Sequence, residues 1–360
     1  MTALGTSSPP VHTWSAAQLT TALRETGALT GTASVTEAAA EPVGGGLLAD
    51  TFRLRLRYAG EGTGPATLVA KMPSLDPTAA RTAAALSAYE REAVFYRELA
   101  PRLAVRTPAF HGTLPGPGGT PPGVLLEDLC GIAVPGDQLG TAPVGRLERA
   151  RAQLAALQAP SWGDPETAGI PWLHRRTGVP IPAQAERYAR SWASVRDRFS
   201  PALGPAARRL IERFGQVCSD WAQHLPGPFC LTHHDFRYDN MMFSADRTWV
   251  LDWQIVGWGV PLWDLAYLVG SSLDPSRRRR AERDVVRRHA ADLAARGVPA
   301  VTEEWTWAEY RRLSLAILLV IVPAAGTVIS NGRGDAMMLE MLRRGTAQAL
   351  DLGAEEFLPA

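Results

Sequence analysis

Residues 233–242 of the chain read His-His-Asp-Phe-Arg-Tyr-Asp-Asn-Met-Met, and residues 250–254 read Val-Leu-Asp-Trp-Gln. Asn240 therefore follows Asp235 by five residues, and Asp252 follows twelve residues later, at the end of an apolar stretch. An aspartate can accept the proton of an attacking hydroxyl, whereas an asparagine and a second aspartate offer the oxygen ligands that Mg2+ prefers. This order of acid, amide and acid is typical of a phosphoryl-transfer loop followed by a metal-binding aspartate.

At these residues the sequence resembles the superfamily of aminoglycoside phosphotransferases and choline kinases. The loop of that superfamily usually reads His-Gly-Asp-x-x-x-x-Asn, followed by Ile/Leu-Asp-Trp/Phe, so His234 stands where its members have glycine. The phrase Pro-Gly-Asp-Gln at residues 135–138 resembles the ecdysteroid-kinase-like branch most closely.

The resemblance implies an α+β, bilobal, protein-kinase-like fold in two domains. Residues 1–128 are expected to form a nucleotide-binding N-lobe, with an antiparallel sheet plus a helix and with residues 1–12 disordered. Residues 129–360 are expected to form a mostly helical C-lobe that carries the catalytic loop and the acceptor site.

Lys71 is the single lysine among 37 lysines and arginines, and it ends the apolar strand predicted at residues 67–72. A lysine is a compact point charge and an arginine a planar fork, so the two are not interchangeable at a phosphate site. The strand resembles the one that carries the ATP-phosphate lysine. By the same resemblance, a helix over residues 79–99 supplies Glu92 as the ion-pair partner of Lys71, with Glu90 as the second choice.

The remaining nucleotide contacts are expected at two places. Gly44, Gly45 and Gly46 precede a strand at residues 51–58 that alternates apolar and basic side chains, and a glycine turn can lay backbone N–H groups over phosphates. A hairpin loop without a role in nucleotide binding explains these glycines equally well. The apolar run at residues 124–129 resembles a hinge strand, which implies that the backbone at Glu127 and Leu129 binds adenine.

The resemblance also assigns supporting roles around the loop, with Asp235 as the catalytic residue and Asn240 and Asp252 as metal ligands. His233 matches the loop histidine that bonds the loop backbone, and Asp264, in a Pro-x-x-Asp-Leu-Ala pattern, matches the aspartate that buttresses it. An insertion near residues 161–188 lines the acceptor pocket in this superfamily. Three aromatic residues in or near it are candidate substrate contacts: Trp162, Trp172 and Tyr188. The simpler alternative is that they pack in the hydrophobic core.

Composition limits the classes of binding partner and the cellular compartment that can be expected. A net charge of +1 gives no electrostatic case for nucleic acid or for an anionic membrane. Three cysteines without a Cys-x-x-Cys pair, and no secretory pattern at the start, indicate reduced thiols and a cytoplasmic protein. The expected cofactors are ATP, with GTP possible, and Mg2+, and the expected partner is a small molecule with a hydroxyl group.

Two other classes of protein compete with this interpretation. A metal-dependent hydrolase could use His233, His234 and Asp235, although the chain lacks the His-x-His and His-Glu-x-x-His spacings of such sites. A non-catalytic nucleotide-binding protein would share the same motifs. The acceptor is open as well: an aminoglycoside calls for an acidic pocket, whereas the many aromatic residues suit a steroid, terpenoid or macrolide.

Overall fold

The computed structural model describes residues 12–44, 48–116, 122–327 and 332–359. The predicted phosphate-loop residues Gly45 and Gly46, and residues 1–11 of the predicted disordered segment, lie outside the described residues. The chain forms two compact units, one built from residues up to Arg97 together with Pro108–Asp128, the other from Glu98–Thr107 and everything from Leu129 onward. In the described ranges no helix is long and apolar enough to cross a membrane.

The first unit is a five-stranded antiparallel sheet with helices. Its strands run in the order β1-β2-β3-β5-β4. Their bounds are β1 Ser34–Pro42, β2 Ala49–Ala59, β3 Thr67–Pro73, β4 Phe110–Leu114 and β5 Gly123–Glu127. The predicted alternation is present in β2, where Leu54 and Leu56 are buried and Arg55 and Arg57 are exposed. This period of two is what a strand with one face on the core requires.

Helix α1 (Ala16–Glu25) covers the buried face of that sheet. Its first turn is closed by a capping box between Ser15 and Gln18, which satisfies two backbone N–H groups that would otherwise lack partners. Leu19 and Leu23 enter the same apolar cluster as the inward residues of β2 and β3. His12, which the prediction included in a disordered segment, lies against Trp14 and 3.1 Å from a carboxylate oxygen of Asp50.

The helix predicted over residues 79–99 is divided. Helix α2 (Pro77–Ala85) begins at an Asp76 cap, and α3 (Ala88–Val94) follows after Ser87, whose φ of 48° is left-handed and ends α-helical bonding. The break turns Tyr89 toward the sheet, where its hydroxyl accepts a hydrogen bond from the Ser74 backbone and donates one to the Leu48 carbonyl. Long-range contacts of this kind override local helix propensity.

The second unit is mostly helical, which with the sheet of the first unit confirms the α+β class. Its helices are α4 Val144–Gln158, α5 Pro165–Ala168, α6 Gln184–Phe199, α7 Pro205–Gln223, α8 Leu262–Ser272, α9 Pro275–Ala295, α10 Glu303–Leu313, α11 Ala316–Thr327 and α12 Gly332–Asp351. Every residue of α8 is buried, so this helix forms the centre of the unit. Helix α11 is strongly apolar and contains Pro323.

Two small sheets in the second unit hold the two ends of residues 233–240. In one, β8 (Cys230–Thr232) is antiparallel to β11 (Gly257–Gly259), which is parallel to β7 (His174–Arg175). In the other, β9 (Met241–Phe243) lies between β10 (Thr248–Val250) and β6 (Val134–Pro135). Strand β8 therefore leads into the loop and β9 leads out of it, which fixes both of its ends.

Candidate active site

Asp264, at the start of α8, supports the loop from below. Its two carboxylate oxygens accept the backbone N–H groups of His233 at 2.7 Å and of His234 at 2.8 Å. Asp264 is fully buried, and this burial raises its pKa to about 7, although the two N–H groups act in the opposite direction. The carboxylate thus fixes two successive peptide groups just before Asp235.

His233 is part of the framework of the loop. Its Nε2 lies 2.8 Å from the carbonyl oxygen of Leu251, its Nδ1 accepts from the backbone N–H of Asp235 at 3.3 Å, and its ring packs against Trp253. Both ring nitrogens are therefore occupied, and the side chain is fully buried. The histidine ties the catalytic loop to the segment that carries Asp252.

His234 shows why glycine is usual at this position and how a side chain fits there. Its φ of 65° is left-handed, a conformation that costs a non-glycine residue about 1–2 kcal/mol. Its ring is held by the Thr232 hydroxyl at 2.9 Å from Nε2 and by the Ile255 carbonyl at 3.1 Å from Nδ1, and it packs edge-on against Trp263. These contacts offset the strain of the backbone.

Asp235 has one oxygen engaged by the loop itself. Its Oδ2 accepts from Asn240 Nδ2 at 2.8 Å and from Arg237 Nε at 3.2 Å. No hydrogen bond to Oδ1 is made within the described ranges. The hydroxyl of Tyr267 is near enough for the Asp235 charge, after burial itself, to raise the pKa of Tyr267. The arrangement leaves one lone-pair face of Asp235 for an incoming hydroxyl.

Asn240 and Asp252 are brought together by a backbone bond, since the Leu251 N–H donates to the Asn240 carbonyl at 2.9 Å. The Asn240 amide nitrogen also donates to the Asp235 carbonyl at 2.9 Å, so the orientation of the amide leaves its oxygen for a cation. Asp252 is partly exposed and has a left-handed φ of 64°. An amide oxygen and a carboxylate are a donor set that fits Mg2+, which takes few protein ligands and completes its shell with phosphate and water.

The described residues contain no group of three or more histidine, cysteine, aspartate and glutamate side chains that could hold a metal ion. His233 and His234 are buried, with their ring nitrogens engaged by protein groups. The hydrolase alternative required both imidazoles at a metal, so the geometry of these two residues argues against it.

In the first unit, Lys71 and Glu92 form an ion pair. Lys71 Nζ lies 2.9 Å from a Glu92 carboxylate oxygen, and the Glu92 side chain is 3% exposed. Glu90, the second choice, is exposed on another face of α3. The pair links strand β3 to helix α3 and holds the lysine side chain in one position.

Three of the other predicted nucleotide contacts lie among the described residues: Gly44, Glu127 and Leu129. Gly44 has a positive φ of 73°, a conformation that favours glycine. Glu127, at the end of β5, accepts the Ala109 N–H through its side chain at 3.1 Å. Leu129 is buried, and its carbonyl already accepts from Ile132 and Ala133, which leaves its N–H as the group able to meet a ligand.

One of the candidate substrate contacts belongs to the core: Tyr188 is 1% exposed and donates its hydroxyl to the Ile211 carbonyl. Trp162 is partly exposed and packs against Trp305. Sequence reasoning missed Arg237, which bridges Asp235 at 3.2 Å and Asp239 at 3.1 Å. Its place within the quoted loop, two residues from Asp235 and two from Asp239, was the available signal.

Comparison of the chain with known proteins gives one family match. The model of the phosphotransferase enzyme family (APH) matches residues 39–313, which is more than half of the chain. A search of curated proteins finds no match.

Solved structures share the fold. A proposed aminoglycoside phosphotransferase of Ralstonia eutropha JMP134 is 18% identical, with a TM-score of 0.53 over 93% of this chain and 98% of that one. Choline kinase of Cryptosporidium parvum Iowa II is 8% identical, with a TM-score of 0.55 over 89% and 92%. Aminoglycoside 2'-phosphotransferase-IIIa in its GDP complex is 16% identical, with a TM-score of 0.52 over 86% and 92%.

These identities are low, so the likenesses to solved structures are likenesses of fold, and they confirm the predicted protein-kinase-like class. The family match extends from β1 to α10 and includes the loop at residues 233–242. The chain therefore belongs to the phosphotransferase enzyme family.

Proposed function

We propose that this protein is a small-molecule kinase that transfers the γ-phosphate of ATP to a hydroxyl group of its acceptor. The observation that carries the proposal is the state of Asp235. Asn240 and Arg237 engage one of its oxygens, and the other is left without a hydrogen bond from the described chain. An aspartate held in this way can orient an acceptor hydroxyl and take its proton as the O–P bond forms.

The other residues support positioning and charge. Asn240 and Asp252 would hold Mg2+, whose positive charge stabilises the β- and γ-phosphates during transfer. Lys71, fixed by Glu92, is assigned to the α- and β-phosphates. Catalysis in this scheme comes from orientation and electrostatics, because no covalent intermediate with the protein is needed.

The choice of nucleotide and the location are parts of the same proposal. ATP is the proposed donor, and GTP is a second candidate because aminoglycoside 2'-phosphotransferase-IIIa was solved with GDP. Cys218 and Cys230 are buried thiols, which fits a reducing cytoplasm.

The test is release of ADP or GDP, with Mg2+ present, against a panel of hydroxylated acceptors. The panel spans aminoglycosides, macrolides, sterols, sugars, amino alcohols and hydroxy acids. Asp235→Asn should reduce acceptor-stimulated release about 100-fold or more, the usual contribution of a general base. Asp246→Asn, in an exposed turn of the same unit, is the matched control and should leave release unchanged.

Transfer that persists in Asp235→Asn at the wild-type rate would overturn the proposed mechanism. Tight nucleotide binding without release against every acceptor would favour the non-catalytic alternative. Zinc retained through purification and required for activity would favour the hydrolase.

A further inference from the structure

Arg176 occupies an unusual position beside the loop. It follows β7, which pairs with β11; β11 in turn pairs with β8, the strand that leads into residues 233–235. Its guanidinium lies over the Trp263 ring, 5.9 Å from the ring centroid. Burial lowers the pKa of Arg176, while the neighbouring Tyr267 and Asp235 act in the opposite direction. An arginine is thus placed next to the proposed catalytic aspartate.

The guanidinium of Arg176 has no hydrogen-bond or ion-pair partner among the described residues. Its Nε is buried and makes no hydrogen bond. Two arginines that are more deeply buried are ion-paired: Arg278 bonds Glu282 at 2.8 Å, and Arg344 bonds Glu340 at 2.6 Å. Arg176 is partly exposed and has no such partner in the described chain, so its guanidinium can donate to a group outside the chain.

The nearby carboxylates are already engaged by other groups. Asp264 uses one oxygen for each of two backbone N–H groups, and Asp235 receives Arg237 and Asn240 on Oδ2. The structure therefore assigns Arg176 to neither of them. The loop therefore keeps its geometry without a hydrogen bond or ion pair from the Arg176 guanidinium.

Two hydroxyl groups accompany Arg176. The Tyr267 hydroxyl is buried and lies near both Arg176 and Asp235. The hydroxyl of Thr177, the next residue along the chain, is buried and makes no hydrogen bond within the described ranges. Arg187, on α6, is close enough that its positive charge lowers the pKa of Arg176. It is exposed and has no acidic partner in the described chain. An arginine fork with hydroxyl donors beside it is the donor set that binds carboxylate and phosphate oxygens.

We propose that Arg176, together with the Tyr267 and Thr177 hydroxyls, binds an oxyanion of the acceptor, so that the substrate is a small hydroxylated molecule carrying a carboxylate or a phosphate ester. This inference rests on the proposed function, because it takes Asp235 as the group that receives the acceptor hydroxyl. A polycationic acceptor such as an aminoglycoside would bring its ammonium groups against Arg176 and Arg187, which repel them.

Binding is tested without catalysis by nuclear magnetic resonance of the arginine Nε–Hε groups. The Arg176 resonance is assigned by its loss in Arg176→Met, and the wild-type protein is titrated with glycerate, with glycerol 3-phosphate and with glycerol at constant ionic strength. We expect a saturable shift with the two anions and none with glycerol. No saturable shift with either anion, or an equal shift with glycerol, would overturn the inference. A shift produced by Mg-ATP alone would assign the site to the nucleotide instead.

Activity supplies the second readout. Acceptors are tested as pairs, each hydroxy acid beside its amide, in wild type, Arg176→Met and Arg176→Lys. The methionine variant should lose about 100-fold in kcat/KM for the acid and little for the amide, and lysine should restore part of the loss. Arg175→Met is the matched control, because the adjacent Arg175 donates to the Ala168 carbonyl instead.

The two proposals fail in different ways. If transfer requires Asp235 but uses only neutral or cationic acceptors, the kinase proposal stands and the anion site is wrong. If glycerate moves the Arg176 resonance but no acceptor is phosphorylated, the anion site stands and the kinase proposal is wrong. An equal loss on acid and amide in Arg176→Met, with a lowered melting temperature, would give Arg176 a structural role only.

Discussion

The histidine at the usual glycine position of the loop offers the sharpest test of the packing. His234→Gly removes a fully buried ring and leaves a residue that adopts the φ of 65° without strain. The two effects have opposite signs. Their sum decides whether the side chain stabilises the loop or is merely tolerated.

The magnitudes favour the histidine. Two hydrogen bonds are lost, to Thr232 Oγ1 and to the Ile255 carbonyl, at about 1 kcal/mol each. Loss of the ring from a packed interior costs about 2 kcal/mol more, less than the ~3–5 kcal/mol of a larger phenylalanine or tryptophan ring. Glycine recovers about 1 kcal/mol of backbone strain. We expect His234→Gly to lower the free energy of unfolding by about 3 kcal/mol.

A second substitution shows whether the ring itself fills the space. A Cβ added to Gly259 would lie 2.7 Å from the His234 Nε2 and 3.0 Å from the Thr232 hydroxyl. Gly259→Ala alone should therefore cost about 1–3 kcal/mol through overpacking. In the His234→Gly background the nearer contact disappears, so most of this cost should vanish, with a coupling energy of about 2 kcal/mol. Gly257→Ala is the control, because its Cβ would also meet the His174 carbonyl oxygen and should not be rescued.

The assay is urea unfolding followed by tryptophan fluorescence. Every tryptophan except Trp14 lies in the second unit, so the signal reports the unit that contains the loop. Four proteins form the cycle: wild type, the two single variants and the double variant. The reasoning is refuted if His234→Gly is more stable than wild type, or if Gly259→Ala is equally destabilising in both backgrounds.

Two further predictions concern charge. Glu92→Gln should raise the KM for ATP or lower kcat by about 10- to 100-fold, because the Lys71 ammonium loses the partner that positions it. Glu90→Gln, at an exposed position, is the control and should change neither constant. Burial raises the pKa of Asp264 to about 7, so its contribution to stability is full below about pH 4 and is lost as the pH rises through 7. The stability of wild type minus that of Asp264→Asn should therefore fall by about 3 kcal/mol between pH 5 and pH 8; parallel pH profiles of the two proteins would contradict this.

Features of the fold that depend on local pattern could be predicted from the residues alone. Alternation along residues 51–58 placed Leu54 and Leu56 on the buried face of a strand, because side chains of a strand point to opposite faces in turn. Ser15 is a residue type that begins helices, and it caps the first helix here, because a serine hydroxyl satisfies an N–H group that the helix leaves unpaired. The order of Asp235, Asn240 and Asp252 along the chain likewise identified the loop that the fold then assembles.

The neighbours of these residues become visible only in the folded chain. The resemblance preferred Glu92 and kept Glu90 as the second choice, and the packing of α3 buries Glu92 against Lys71 and leaves Glu90 exposed. The left-handed backbone at His234 is offset by partners far along the chain, and the lack of partners of Arg176 is visible only once the surrounding carboxylates are found engaged elsewhere. Burial and hydrogen-bond competition arise between segments distant in sequence, so no local pattern carries them.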